Sequence, residues 1–186
     1  MKLSKLIPLG TASIFALTLL VGLSAATAQA GSTVEWKQII GIIMPGNVVG
    51  SGAGEVTGAG QPWSATRGEA GVDLLTGAIN FKVEGLVLAG GNNIGTPGNV
   101  TEVKGTLVCD TDGSAGMGHS TLVDTDLVPL SAEGDAEFDG EVGPLPDACI
   151  NEPDIAFLIR IPAGRWIANG AVRVVEMAEV EEMEME

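Results

Sequence analysis

The sequence predicts an all-β fold, an antiparallel sandwich or barrel of about nine short strands. Two observations point there. Glycine and proline punctuate the chain so densely that, between Gly31 and Gly170, the longest window free of both runs only from His119 to Val128. An average helix takes about 11–12 residues and each interior glycine costs about 1 kcal/mol, so helices of any size are excluded from the body. The stretches between glycines alternate apolar and polar residues with a period of two. The chain also holds one pair of cysteines, Cys109 and Cys149, the only ones in 186 residues.

Residues 1–30 read as an export signal. Lys2 and Lys5 precede the apolar run from Ile14 to Leu23, and Ala28-Gln29-Ala30 follows it. A basic start, an apolar stretch of about 7–15 residues and an A-x-A ending make up a secretory signal of bacterial type, cut after Ala30. The run is too short for a membrane anchor, because a spanning helix takes about 20 apolar residues. The expected product is secreted or periplasmic, with no membrane span. Loss of Lys2 and Lys5 moves the net charge from −15 to −17. Such a chain repels nucleic acid and anionic lipid. The remaining length suits one domain, divided here into a β-rich body over 31–175 and an acidic tail over 176–186.

Within the body, Ala70, Val72 and Leu74 alternate with Glu69 and Asp73, and Ile79, Phe81 and Val83 alternate with Asn80, Lys82 and Glu84. Leu75-Thr76-Gly77 between them makes residues 68–88 a β-hairpin. Further on, Ala136, Phe138 and Val142 share one face, and Glu133, Asp135, Glu137, Asp139 and Glu141 the other. Five carboxylates on one side of a strand face water, since burying each unpaired costs several kcal/mol. Ile155 to Ile159 and Ile39 to Met44 are apolar on both faces and suit central strands. The segments 47–57, 100–109, 120–128 and 166–175 complete the set. The last eleven residues contain six glutamates and neither Gly nor Pro. They read as a solvated tail, because an isolated helix that short is marginal in water.

In an exported chain the two cysteines form a disulfide. A loop of about 40 residues closed by it contributes about 3–4 kcal/mol on the chain-entropy model. The sole histidine, His119, lies between Ser114 and Ser120 with Asp124 beyond, but near neighbours in sequence seldom converge as a triad. Gly118-His-Ser-Thr-Leu122 also lacks the second glycine of a nucleophile elbow. One histidine and a bridged cysteine pair leave zinc or copper without their usual ligands. Gly50-Ser-Gly-Ala-Gly54 lacks the lysine of a phosphate loop, and Asn99-Val-Thr101 matches the glycosylation sequon by chance in a bacterial chain.

Aspartates make the better case. Asp110-Thr-Asp112-Gly113 has the D-x-D-G rhythm of calcium loops, and Asp124-Thr-Asp126 repeats the pair after a similar Thr-Leu-Val lead. On a hairpin Asp110, Asp112, Asp124 and Asp126 can meet around one calcium ion, although no EF-hand glutamate follows. No other cofactor has a motif here. Trp36 and Trp166 lie in strand patterns and belong to the core. Trp63, in Gly60-Gln-Pro-Trp-Ser64, lies in a turn and is the candidate for ligand contact.

The run from Leu74 to Leu86, Leu-Leu-Thr-Gly-Ala-Ile-Asn-Phe-Lys-Val-Glu-Gly-Leu, resembles the strand–turn–strand signature of CHRD domains, which are secreted β-sandwiches. The likeness covers about thirteen residues. The His-rich segment of that family has no counterpart, and no functional residue is carried over. The leading expectation is an exported, non-catalytic β-sandwich acting in binding, adhesion or association with the envelope. Its rival is a secreted hydrolase with a carboxylate-based or calcium-assisted site.

Overall fold

The computed structural model describes residues 32–115, 118–150 and 154–177. The expected export signal, and residues 178–186 of the acidic tail, lie outside the described residues; Glu176 and Met177, the first two residues of that tail, instead extend β13 against Thr33 and Ser32. In chain order the elements are β1 (Ser32–Gly41), β2 (Val48–Val49), a 3-10 turn (Gly52–Gly54), β3 (Val56–Thr57), β4 (Trp63–Ser64), β5 (Arg67–Asp73), β6 (Ala78–Glu84) and β7 (Val87–Leu88). They continue with β8 (Glu102–Cys109), β9 (Thr121–Asp124), β10 (Val128–Pro129), β11 (Ala136–Glu141), the single-turn helix α1 (Asp147–Ile150), β12 (Ala156–Arg160) and β13 (Trp166–Met177). The protein is mostly β, as its glycine spacing requires.

Among the described residues, nine strands join in one antiparallel sheet of order β10-β8-β12-β13-β1-β5-β6-β11, with β9 as a further partner of β8. Two short ribbons, β2–β3 and β4–β7, lie beside it. The sheet curls. Phe81 on β6 and Phe157 on β12 stand four steps apart in the strand order, yet their ring centroids are 5.7 Å apart. Trp36 on β1 reaches the same Phe157 at 5.6 Å. These rings meet over Gly105 on β8, where a Cβ would stand 3.0 Å from both Phe157 and Phe81, so any larger residue would push the rings apart. The ends of the curl approach one another because β10 and β11 are joined by a turn, closed by Ser131 N–H donating to the Asp135 carbonyl. A further tie runs from Leu86 N–H to the Gly134 carbonyl.

Alternation builds the wall of this curl. Ala70, Val72, Ile79, Phe81, Val83 and Ala136 are buried, while Glu69, Lys82, Glu137 and Asp139 between them face water. The hairpin turn after β5 is set by Asp73, whose carboxylate accepts the backbone N–H groups of Leu75 and Thr76 at 2.8 and 3.2 Å. Those two bonds hold the Asp73 carboxyl below its usual range. The expected bridge is present: Cys109, closing β8, is bonded to Cys149 in α1, and both are fully buried.

Three segments differ from the sequence reading. The stretch 47–57 is two short strands around the 3-10 turn, because Gly50 and Gly52 take positive φ. The first strand begins at Ser32, well before Ile39. Val34, Trp36 and Ile39 are all buried, so the alternation slips by one residue at Lys37 and Gln38. Across from that slip Val172 has φ +54, an outlier for a β-branched residue. Trp63 belongs to β4, paired with Leu88 on β7, and not to a turn.

Candidate functional site

Two regions gather polar side chains. The first is the outward face of β1, β5, β6 and β11. Register places Glu69 beside Lys82, and Lys82 beside Glu137. Glu69, Lys82 and Glu137 therefore cross three strands as a row of alternating sign, and Lys37, paired with Glu35 on its own strand, lines the same hollow as Glu69. Opposite charges on directly opposed residues contribute about 0.2–1 kcal/mol each. Glu84 adds ion pairs to Arg67 at 2.5 Å and to Lys82 at 3.7 Å.

Hollows run along this face. One of about 330 Å³ is lined by Lys37, Arg67, Gly68, Glu69, Lys82 and Glu84. A second, of about 450 Å³, shares Lys82 and Glu84 and continues toward Pro129, Ser131 and Glu137. A third, of about 140 Å³, shares Lys37 and Glu69 and continues over Gly71 and Asn80. The three hollows adjoin one another along the charged face, sharing Lys82 and Glu84 on one side and Lys37 and Glu69 on the other.

The second region is the corner beside the disulfide. Asp110 follows Cys109 directly, sits at φ +55 and is 1% exposed. Aspartate tolerates this left-handed conformation better than most residues. Its Oδ2 accepts the Ala115 N–H at 3.1 Å, and its carbonyl accepts Ser120 Oγ–H at 2.8 Å and Gly113 N–H at 3.1 Å. Its Oδ1 is buried with no partner among the described residues. Asp112, two residues on, accepts the Ser114 N–H at 2.9 Å. The side chain and backbone of Ser114 hold its carboxyl below the usual range.

Asp154, in the segment entering β12, completes the group. Its Oδ2 accepts from Thr111 Oγ1 at 3.1 Å and from Asp112 N–H at 3.2 Å, and its carbonyl accepts the Thr111 N–H at 3.1 Å. Asp110, Asp112 and Asp154 each present a carboxylate oxygen within 4.8 Å of the others. The 3-10 turn braces the corner from behind: Ser51 N–H donates to Ser120 Oγ, and Ser51 Oγ–H to the Thr111 carbonyl. At Gly54 a Cβ would stand 1.8 Å from the Ser120 carbonyl, a contact only glycine permits.

The four aspartates singled out in the sequence separate into two places. Asp110 and Asp112 come together, but with Asp154, and Asp124 and Asp126 are not in that group. Asp124 pairs with Lys104, and with Arg160 at 3.0 Å, and accepts Thr106 Oγ1–H at 2.6 Å. Burial pushes its carboxyl up, but the Lys104 and Thr106 hydrogen bonds and the Arg160 charge outweigh that and hold it below the usual range. Asp126 is exposed. Trp63 is 5% exposed and belongs to the buried core cluster. Ser120 is buried, with its hydroxyl committed to Asp110 and Ser51. Asp154 was not singled out in the sequence. The available signal was its place five residues beyond Cys149, since a bridge brings the flanks of both cysteines together.

No family model, no curated protein and no solved structure matches this chain.

Proposed function

We propose that the chain is an exported, non-catalytic binding module, adhesive or associated with the envelope, that takes its partner on the outward face of β1, β5, β6 and β11. The observation that carries this is the line of adjoining hollows over Lys37, Glu69, Lys82 and Glu137. Its floor offers donors and acceptors at the strand spacing of about 4.8 Å. That repeat suits an extended polar polymer such as a glycan better than an apolar ligand. Alternating signs along the row let a strongly acidic chain display cations there without a net charge.

Export rests on residues 1–30, and the Cys109–Cys149 bridge supports it, since such bonds persist in oxidising compartments. The finer architecture goes with this reading: the ring contact of Phe81 with Phe157 fits two limbs of the curl facing one another as the halves of a sandwich.

Titration of the protein with soluble bacterial cell-wall polysaccharide tests the proposal. Saturable binding is expected, weakened about tenfold in the double variant Arg67→Ser/Lys82→Ser, with the polymer unchanged in length. Absence of binding, or binding indifferent to the double variant, would overturn it. Shortening of the polymer would favour the hydrolase, whose support is the carboxylate group at Asp110, Asp112 and Asp154.

A further inference from the structure

We propose that Asp110, Asp112 and Asp154 form a calcium site that ties the turn after β8 to the segment entering β12. The donors come from two chain segments, with one oxygen of each carboxylate within 4.8 Å of the others. At calcium's usual contact distance of 2.3–2.6 Å, oxygens on opposite sides of the ion stand about 4.6–5.2 Å apart. Magnesium, which demands near-ideal octahedral geometry and gives up its water reluctantly, suits such a half-hydrated site of three carboxylates less well. All three donors are hard oxygens, with no histidine or thiolate among them, which disfavours zinc and copper.

Acidic turns are common, and one atom sets this corner apart. Asp110 is 1% exposed, and its Oδ1 is buried without a partner among the described residues. An unpartnered buried oxygen bears the whole cost of leaving water, and on a carboxylate that cost is at its greatest. Its other carboxylate oxygen and its carbonyl are both engaged, Oδ2 by Ala115 and the carbonyl by Ser120 and Gly113. The free oxygen stands out beside them. No ion pair among the described residues involves Asp110, Asp112 or Asp154. A divalent cation supplies both missing items at once, a partner for Oδ1 and a counter-charge for the group.

The carboxylates are also held in place for this task. Hydrogen bonds occupy Oδ2 of Asp110, Oδ1 of Asp112 and Oδ2 of Asp154, one oxygen per side chain. Each is thereby fixed in direction by backbone N–H groups. Calcium takes 6–8 oxygens, so three carboxylates leave several positions to water, as in the weaker extracellular sites. Asp110 adjoins Cys109, and Asp154 lies shortly beyond Cys149, so the ion spans the same two segments that the disulfide joins.

Isothermal titration of the exported, disulfide-intact protein, stripped with EDTA and dialysed, tests the site with calcium chloride as the probe. One calcium per chain is expected, with Kd of about 10⁻⁴–10⁻³ M, weakened about tenfold or more in Asp154→Asn and in Asp112→Asn. Each asparagine keeps a hydrogen-bond acceptor, and melts in EDTA verify that both variants fold. Magnesium is expected to bind more weakly than calcium. Absence of heat together with an unmoved melting temperature at millimolar calcium would overturn the site. So would two folded variants that bind calcium as wild type does, and equal affinity for magnesium would overturn the choice of ion.

Discussion

Two stretches of this chain are near copies: Thr106-Leu-Val-Cys-Asp-Thr-Asp112 and Thr121-Leu-Val-Asp-Thr-Asp126. They end up side by side, since β8 and β9 pair with Cys109 opposite Thr121 and Thr106 opposite Asp124. Their first aspartates nevertheless meet opposite electrostatic fates. Asp124 lies within the strand ladder, facing Lys104, Arg160 and Thr106. Asp110 is displaced by the extra Cys109, past the end of β8, into a left-handed turn behind the disulfide. There it meets two more carboxylates and, among the described residues, no cation. Identical residue types thus define what a motif can bind, while the neighbours decide whether that demand is already met.

Unhooking the bridge breaks the comparison most severely. Cys109→Ala/Cys149→Ala frees both flanks of the acidic corner and is expected to lower stability by about 3–4 kcal/mol. Chemical denaturation at neutral pH measures this directly. A loss well below about 1 kcal/mol would mean that packing alone positions Asp110 beside Asp154.

Removing the satisfied carboxylate comes next. Asp124→Asn leaves Lys104 and Arg160 without their counter-charge, and both side chains are largely buried, at 20% and 12% exposure. The carboxylate itself is 36% exposed, so solvent screening limits the expected loss to about 1–2 kcal/mol. Its pH dependence has a fixed sign. The folded carboxyl titrates below its unfolded counterpart, so its contribution is complete above the ordinary carboxylate range and disappears as pH falls through the folded value. The gap between wild type and Asp124→Asn should stay constant between about pH 5 and 8 and close below about pH 4. A gap that persists in acid would place its origin in packing rather than charge.

Much of the fold was legible because its strands show one face to water. The alternation over Ala70–Val83 and Ala136–Glu141 matches the buried and exposed residues of β5, β6 and β11. The start of β1 was hidden where the strand slips at Lys37 opposite the strained Val172, since a period-two reading loses phase there. The single curled sheet was beyond reach, because strand spacing does not say whether facing limbs are continuous. At the site, residue types at Asp110 and Asp112 were readable, but their third partner was not. Asp154 is 42 residues from Asp112 in sequence, and only the bridge and the Thr111 bonds bring it there. Trp63 misled for a related reason: its Gly-Gln-Pro lead suggests a turn, yet pairing with Leu88 turns its ring inward.

The most direct test sets the two aspartates against each other by thermal melts in EDTA at neutral pH. Asp124→Asn should lower Tm by a few degrees, about 2–4 °C per kcal/mol for a domain of this size. Asp154→Asn removes one charge from an uncompensated group and keeps its hydrogen-bond acceptor, so Tm should hold or rise slightly. Opposite or clearly unequal shifts are the predicted result. Equal losses in the two variants would contradict the account, because they would show that the corner beside the disulfide is as fully compensated as the strand that carries Asp124.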